Sequence, residues 1–151
     1  MKKFILLIAM LLPMSAMASI PELTALIDKY SKDVFVMRLT DEPLRKNMEM
    51  SGAGGFNDVL ESVDILDTTN KEFIPNIATA METLFQSISL ETYADVEEDG
   101  EKIKVLYRKS GETVSDVVIY VRDDRSLSMM YVTCAIPENL LPKFISKMIE
   151  V

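Results

Sequence analysis

The stretch YADVEEDGEKIKVLY, residues 93–107, decides the fold because two different structures are compatible with its beginning. Acidic residues stand at alternate positions from Asp95 onward and Gly100 follows, as at the start of a calcium loop of the EF-hand type. Such a loop needs a bidentate glutamate at its twelfth position, because Ca²⁺ takes about six to eight oxygen ligands. Counted from Asp95, that position is Leu106. The sequence therefore argues against a calcium loop.

A β-hairpin explains the same residues better, because Asp99-Gly100 is a favoured two-residue hairpin turn. In the register that this turn sets, pairs of opposite charge share one face: Glu97 with Lys102, Asp95 with Lys104, and Glu91 with Arg108. The other face pairs apolar residues, Val96 with Ile103 and Ala94 with Val105. Cross-strand pairs of this kind contribute about 0.2–1 kcal/mol each. One register satisfies both faces, so we expect a hairpin.

The next strand extends the apolar face of this hairpin. A three-residue loop at Gly111-Glu112-Thr113 would set these pairs: Tyr107 with Val117, Val105 with Ile119, and Ile103 with Val121. The opposite face is mixed, because four large apolar or aromatic residues lie among its charged pairs: Tyr93, Leu106, Val118 and Tyr120. These four residues form either a patch for a partner or ligand, or a surface that a loop or a strand at 34–37 covers.

Outside the hairpins, the spacing of apolar residues predicts the remaining elements. A period of two predicts four antiparallel strands, near 91–98, 101–109, 114–122 and 127–136. Spacings of three and four predict helices near 19–32, 43–50, 74–88 and 137–149. Short β-branched or aromatic runs predict strands at 34–37 and 63–67. The predicted fold class is α+β: an antiparallel meander of about four C-terminal strands, with one or two N-terminal strands and with helices packed on one face.

The chain opens MKKFILLIAMLLPMSAMA, which has the layout of a secretory signal peptide. Lys2 and Lys3 precede an apolar run, and small residues close the segment at Ala16 and Ala18. The uncharged stretch of residues 4–20 would be roughly 25 Å long as a helix, which is short of the ~30 Å needed to span a bilayer core. We therefore expect cleavage after Ala18 and export to the periplasm or the exterior, with one α+β domain at residues 19–151.

The composition narrows the range of partners. The chain of 151 residues has a net charge of −8, and removing Lys2 and Lys3 with the signal peptide makes it −10. Such a surface repels nucleic acid and anionic lipid, and no later segment is long and apolar enough to span a membrane. Cys134 is the only cysteine, so no intramolecular disulfide can form.

Few catalytic chemistries are compatible with this sequence. The chain has no histidine, which removes the commonest general base and metal ligand. Cys134 lies in an apolar strand and is expected to be a buried structural thiol. The glycines of residues 52–55 lack the spacing of a phosphate-binding loop and predict an ordinary loop. Met48-x-Met50 is a conceivable fragment of a Cu(I) site, although core packing explains most methionines better.

Several motifs resemble those of a known family: LIDKYSKD near the start of the mature chain, then ETYADVEEDGEKIKVLYRKSG, VSDVVIYVRDD and LSMMYVTCAIPENL. The family consists of small exported bacterial proteins known only as a domain of unknown function. The resemblance spans most of the mature chain, but its motifs are hydrophobic patterns and turns. It implies an exported α+β domain and supplies no catalytic residue, metal site or cofactor.

These observations favour an exported, non-enzymatic envelope module without a cofactor, which binds a protein partner or a small ligand. The alternative is a carboxylate-dependent hydrolase of the cell envelope, because carboxylates are plentiful although no pair stands out. A deep cleft with two convergent buried carboxylates would favour the hydrolase. The sequence leaves the identity of the ligand and the oligomeric state open.

Overall fold

A computed structural model describes residues 20–149. This range contains four α-helices and six β-strands, in the following order: α1 Pro21–Tyr30, β1 Phe35–Thr40, α2 Asp41–Met50, β2 Leu60–Thr68, α3 Ile74–Ser87, β3 Glu91–Glu98, β4 Glu101–Ser110, β5 Thr113–Arg122, β6 Leu127–Pro137 and α4 Leu141–Ile149. Two short 3-10 helices precede β2 and α4, at Gly54–Val59 and Glu138–Leu140. The expected signal peptide and cleavage site, with Ser19, lie outside the described residues. Within residues 20–149, no helix has the length and apolar character needed to cross a membrane.

The six strands form one antiparallel sheet in the order β1-β2-β6-β5-β4-β3. The four C-terminal strands pair with their chain neighbours, so the predicted meander is confirmed. The N-terminal strands β1 and β2 pair with each other, and β2 continues the sheet beside β6. The predicted α+β class with an antiparallel sheet is therefore confirmed.

The hairpin of β3 and β4 turns at Asp99 and Gly100, whose φ angles are 54° and 83°. Positive φ at both positions is what a type I′ turn requires, and the predicted pairs from Glu98 opposite Glu101 to Ala94 opposite Val105 are all present. The prediction fails at Glu91, which faces Tyr107 and not Arg108. The reason is a bulge between Thr92 and Ala94, because a bulge inserts one unpaired residue and shifts the register beyond it.

The second hairpin reaches the predicted register by a different route. Ser110 faces Thr113, so the turn contains two residues and not the predicted three. A bulge between Val114 and Asp116 adds the missing residue on β5. The three predicted pairs beyond it are therefore correct: Tyr107 with Val117, Val105 with Ile119, and Ile103 with Val121.

Helices cover both faces of the sheet, which corrects the prediction of helices on one face. On the α2/α4 face, these two helices and the first 3-10 helix pack on inward residues such as Val105, Val117 and Val132. On the α1/α3 face, helices α1 and α3 pack on residues such as Leu106 and Val118. The cause is that the central strands are apolar at successive positions, so that each face needs a cover.

Candidate binding cavity

The residues predicted as a partner patch do not form an exposed surface. Leu106, Val118 and Tyr120 are buried on the α1/α3 face, where the Tyr120 ring packs edge-on against Phe85 with centroids 5.4 Å apart. Tyr93 alone is exposed, at 42%. The alternative of a covered face describes the structure better, but helices α1 and α3 provide the cover instead of a loop or the strand at 34–37.

Tyr120 belongs to a polar cluster that fastens α3 to the sheet. The Glu82 carboxylate accepts hydrogen bonds from Lys102 Nζ at 2.6 Å, Arg122 Nε at 2.8 Å and Tyr120 OH at 2.9 Å. Burial alone would raise the pKa of Glu82, but the bonds from Lys102, Arg122 and Tyr120 outweigh it and lower this pKa to about 2. Lys102 thus faces Glu97 in the strand register while its ammonium group binds Glu82.

The lowered pKa of Glu82 predicts a specific acid sensitivity. A carboxylate with a lowered folded-state pKa stabilises the fold above its ordinary pKa of 4.5, and this contribution is lost as the pH falls towards 2. The loss should be on the order of 2–3 kcal/mol. The free energy of unfolding, measured with denaturant, should therefore be higher for the wild type than for Glu82→Gln at about pH 6. This difference should shrink as the pH is lowered to about 2.5. Glu97→Gln, at an exposed glutamate of β3, is the control, and an equal loss there would contradict the assignment.

A second polar cluster surrounds Asp116, which is fully buried on β5. Its carboxylate accepts hydrogen bonds from Arg108 Nε at 2.8 Å, Ser115 Oγ at 2.7 Å and Tyr131 OH at 2.7 Å. The Tyr131 hydroxyl in turn accepts from the backbone N–H of Ile20 at 2.6 Å. Burial and the bond to Asp116 raise the pKa of Tyr131. This cluster ties the start of α1 to the middle of the sheet.

Asp64 is the other buried carboxylate on the α1/α3 face, and it too is fully engaged. Arg38 binds it through two nitrogens, Nε at 2.8 Å and Nη2 at 3.1 Å. A general acid or base must reach a substrate proton within hydrogen-bonding distance, but the oxygens of Asp64 and Asp116 are occupied by partners that stabilise the fold. These two carboxylates therefore give no support to the hydrolase alternative.

The α2/α4 face contains a cavity of about 310 Å³ between α2, the end of α4 and the strands β1, β2 and β6. Apolar side chains predominate in its wall, and Asn47 and Ser51 supply the polar groups: Leu39, Leu44, Asn47, Met48, Ser51, Val63, Ile65, Met130 and Met148. Asn47 is exposed on α2, so the cavity reaches the surface there. The volume lies at the lower end of the range of small-molecule sites, which begins at about 300 Å³.

Three thioethers line this cavity, those of Met48, Met130 and Met148. Met37 faces Ile65 across the β1–β2 pair, and Ile65 faces Met130 across the β2–β6 pair. Methionine side chains are flexible and polarizable, and they adapt to apolar groups of different shapes. The wall can therefore fit a range of apolar groups, which is a property of binding surfaces.

Two further sequence hypotheses can be compared with the structure. Met48 is 3% exposed in the cavity wall whereas Met50 is 87% exposed, so Met48-x-Met50 does not present two thioethers to one site. Cys134 is buried and its thiol donates to the Val114 carbonyl, as expected for a structural thiol. Burial raises the pKa of Cys134 to about 12, so the reactive thiolate is suppressed at neutral pH.

The cavity was missed by sequence reasoning because its wall comes from five separate elements. Met48 and Met130 are far apart in the chain, and only the strand order and the positions of α2 and α4 bring them together. The run Met129-Met130 was a weak signal of a methionine-lined wall. Successive side chains of a strand point to opposite faces of the sheet, so one of these two methionines lies on each face.

Comparison with known proteins agrees with the resemblance seen in the sequence. No curated protein and no solved structure matches this chain. One family does match, over residues 44–144, a range that includes β2 to β6, α3 and most of α2. The motif LIDKYSKD precedes the matched range, whereas the three later motifs lie within it. The chain therefore belongs to the family described as "Domain of unknown function (DUF4252)".

Proposed function

We propose that this chain is an exported, non-enzymatic binding module of the cell envelope, and that the α2/α4 cavity holds an apolar group of its ligand or partner. The cavity is the observation that carries the proposal. The wall of the cavity is predominantly apolar, and Asn47 and Ser51 add a few polar groups to it. Small-molecule sites have this composition, because apolar contacts supply affinity and a few polar groups fix the orientation of the ligand.

The surroundings of the cavity support a neutral, apolar ligand group. Among the residues that the structure describes, the wall contains no charged side chain, so a charged group of a ligand finds no counter-ion among them. The net charge of −8 disfavours anions around the whole molecule. Export is supported by the signal-like segment of residues 1–18, as an inference from sequence.

The test uses the methionine methyl groups as reporters. Protein labelled with ¹³C at these methyls is titrated with 1-octanol, a neutral probe with an apolar chain. The methyl signals of Met48, Met130 and Met148 should shift with saturation, because these residues line the cavity. Met81 and Met129 are the matched controls, since both are buried in the core of the α1/α3 face and should not respond.

A variant then links the shifts to the cavity. Ile65→Phe adds volume to a side chain of the wall and should weaken octanol binding by about tenfold or more. Unchanged signals of Met81 and Met129 in this variant would show that the fold is intact. Absence of any saturable shift, or shifts centred on Met81 and Met129, would contradict the proposed site.

A further inference from the structure

The two edges of the sheet differ in how well they are protected against pairing with another strand. The edge strands are β1 and β3. Natural proteins block sheet edges with charges, bulges and prolines, because an open edge is a template for another strand. Strand β3 has two of these features: four acidic residues among its eight, and the bulge beside Tyr93. This edge is closed to strand addition.

Strand β1, which is described over its whole length as FVMRLT, lacks these features. It pairs with β2 in one continuous register from Phe35 to Thr40, without a bulge or a proline. Its only charged residue is Arg38, which binds Asp64 and lies 3.8 Å from Asp28. The charge of Arg38 is therefore balanced within the molecule, and the edge carries no net charge of its own to repel a strand.

The same edge exposes large apolar side chains. Phe35 is 54% exposed and Met37 is 38% exposed, and both lie on the α2/α4 face in line with the buried Leu39. Alternate residues of a strand point to one face, so these side chains form an apolar row along the rim of the sheet. An unprotected edge beside an apolar row has the properties of a strand-pairing interface.

We propose that β1 pairs antiparallel with β1 of a second copy of this chain, with Met37 facing Met37 of that copy. A two-fold axis perpendicular to the sheet relates the copies, and it keeps both α2/α4 faces on the same side. Phe35 of each copy then lies opposite Leu39 of the other, so the two apolar rows become one. The acidic β3 edges lie at the outer ends of the resulting twelve-stranded sheet and stop further growth.

The charge distribution favours a second copy over growth into a fibre. Net charge of −8 opposes contact between copies in most orientations. The β1 edge is the contact with balanced charge, and an isologous contact of this kind closes at two copies. The interface consists of one strand pair and a few apolar side chains, so it is smaller than a standard interface of ~1,600 Å². We expect a dissociation constant on the order of 1–100 μM.

Light scattering coupled to size-exclusion chromatography tests the proposal on the protein as recovered after expression. The mass found under denaturing conditions is that of the monomer. As the concentration rises from about 1 μM to 500 μM, the native mass should rise from that of the monomer towards that of a dimer. Phe35→Glu sets a carboxylate against the apolar Leu39 of the other copy, where it has no counter-ion, and should weaken the dimer at least tenfold. The matched control is Tyr93→Glu, an exposed aromatic residue on the other edge, which should leave the dimer unchanged. A monomer at every concentration, or a dimer weakened by Tyr93→Glu alone, overturns the proposal.

Cross-linking checks the register independently of affinity. Met37→Cys should form a disulfide-linked dimer under mild oxidation, because facing residues in an antiparallel pair have Cα atoms within the ~7 Å that a disulfide tolerates. Cys134 is buried and should give no background in the wild type. Tyr93→Cys is the control for random collision. A cross-link through Tyr93→Cys at the same rate, or none through Met37→Cys at dimer concentrations, overturns the pairing and leaves the proposed cavity site unaffected.

Discussion

Replacing Asp116 with alanine should lower the free energy of unfolding by about 3–5 kcal/mol, because it removes one partner from a buried ion pair. The carboxylate is fully buried and accepts from Arg108, Ser115 and Tyr131. In the variant, all three hydrogen bonds to the carboxylate are lost in a site from which water is largely excluded. The Tyr131 hydroxyl also accepts a hydrogen bond from the backbone N–H of Ile20. The start of α1 should therefore become less stable together with the sheet.

Chemical denaturation of Asp116→Ala measures this loss directly. The control is Asp95→Ala on β3, whose carboxylate lies 3.7 Å from Lys104 and is about half exposed. An exposed pair of this kind contributes about 0–1 kcal/mol, so the control should be nearly neutral. Amide hydrogen exchange should show faster exchange in α1 for Asp116→Ala than for Asp95→Ala. A cost below about 1 kcal/mol for Asp116→Ala would show that the cluster is not a stabilising centre.

The two hairpins show which parts of the fold the sequence determines locally. Asp99-Gly100 can adopt positive φ at two successive positions, and this turn fixes the pairs next to it. The bulges beside Tyr93 and Ser115 were not predictable, because the residue pattern near them is compatible with both continuous and bulged strands. Their effects also differ: the bulge on β3 moves Glu91 away from Arg108, whereas the bulge on β5 compensates for a shorter turn.

Coverage of both faces could have been predicted from β5 alone. The run Val117-Val118-Ile119-Tyr120-Val121 is apolar at every position, and such a run indicates a strand that is buried on both sides. The charged residues of β3 and β4 favoured the one-sided interpretation, but they describe the edge of the sheet and not its centre. Charged strand residues can lie beneath α3 when they form salt bridges with that helix, as Lys102 of β4 does with Glu82.

The cavity and the β1 edge were beyond prediction for a different reason. Both depend on the position of β1 at the end of the strand order, which follows from long-range pairing of β2 with β6. The sequence alone gives no register between these strands. In a central strand, Phe35 and Met37 would be core residues. Because β1 lies at an edge, they are exposed and can contact another strand.

Replacing Leu106 with alanine should lower the free energy of unfolding by about 2–5 kcal/mol, which is the usual cost of a buried leucine and the cavity it leaves. Leu106 is buried on the α1/α3 face, and its neighbour Val105 is buried on the α2/α4 face. Val105→Ala should therefore also be costly, by roughly 1–3 kcal/mol. In a sheet covered on one side, only one residue of such a pair would be sensitive.

The two substitutions together distinguish burial on both faces from burial on one. Val96→Ala, at an exposed apolar residue of β3, is the control and should cost less than about 0.5 kcal/mol. Each variant is unfolded with denaturant under identical conditions, and the slopes are compared to confirm that the denatured states are equivalent. If either Leu106→Ala or Val105→Ala were as harmless as Val96→Ala, the helices on that face would not be packed on the sheet. Loss of the α1/α3 layer would expose Val118 and Tyr120 beside Leu106, and a partner could then reach them as a surface. A large cost at both positions would instead mean that these residues are core, which leaves the α2/α4 cavity and the β1 edge as the surfaces proposed for binding.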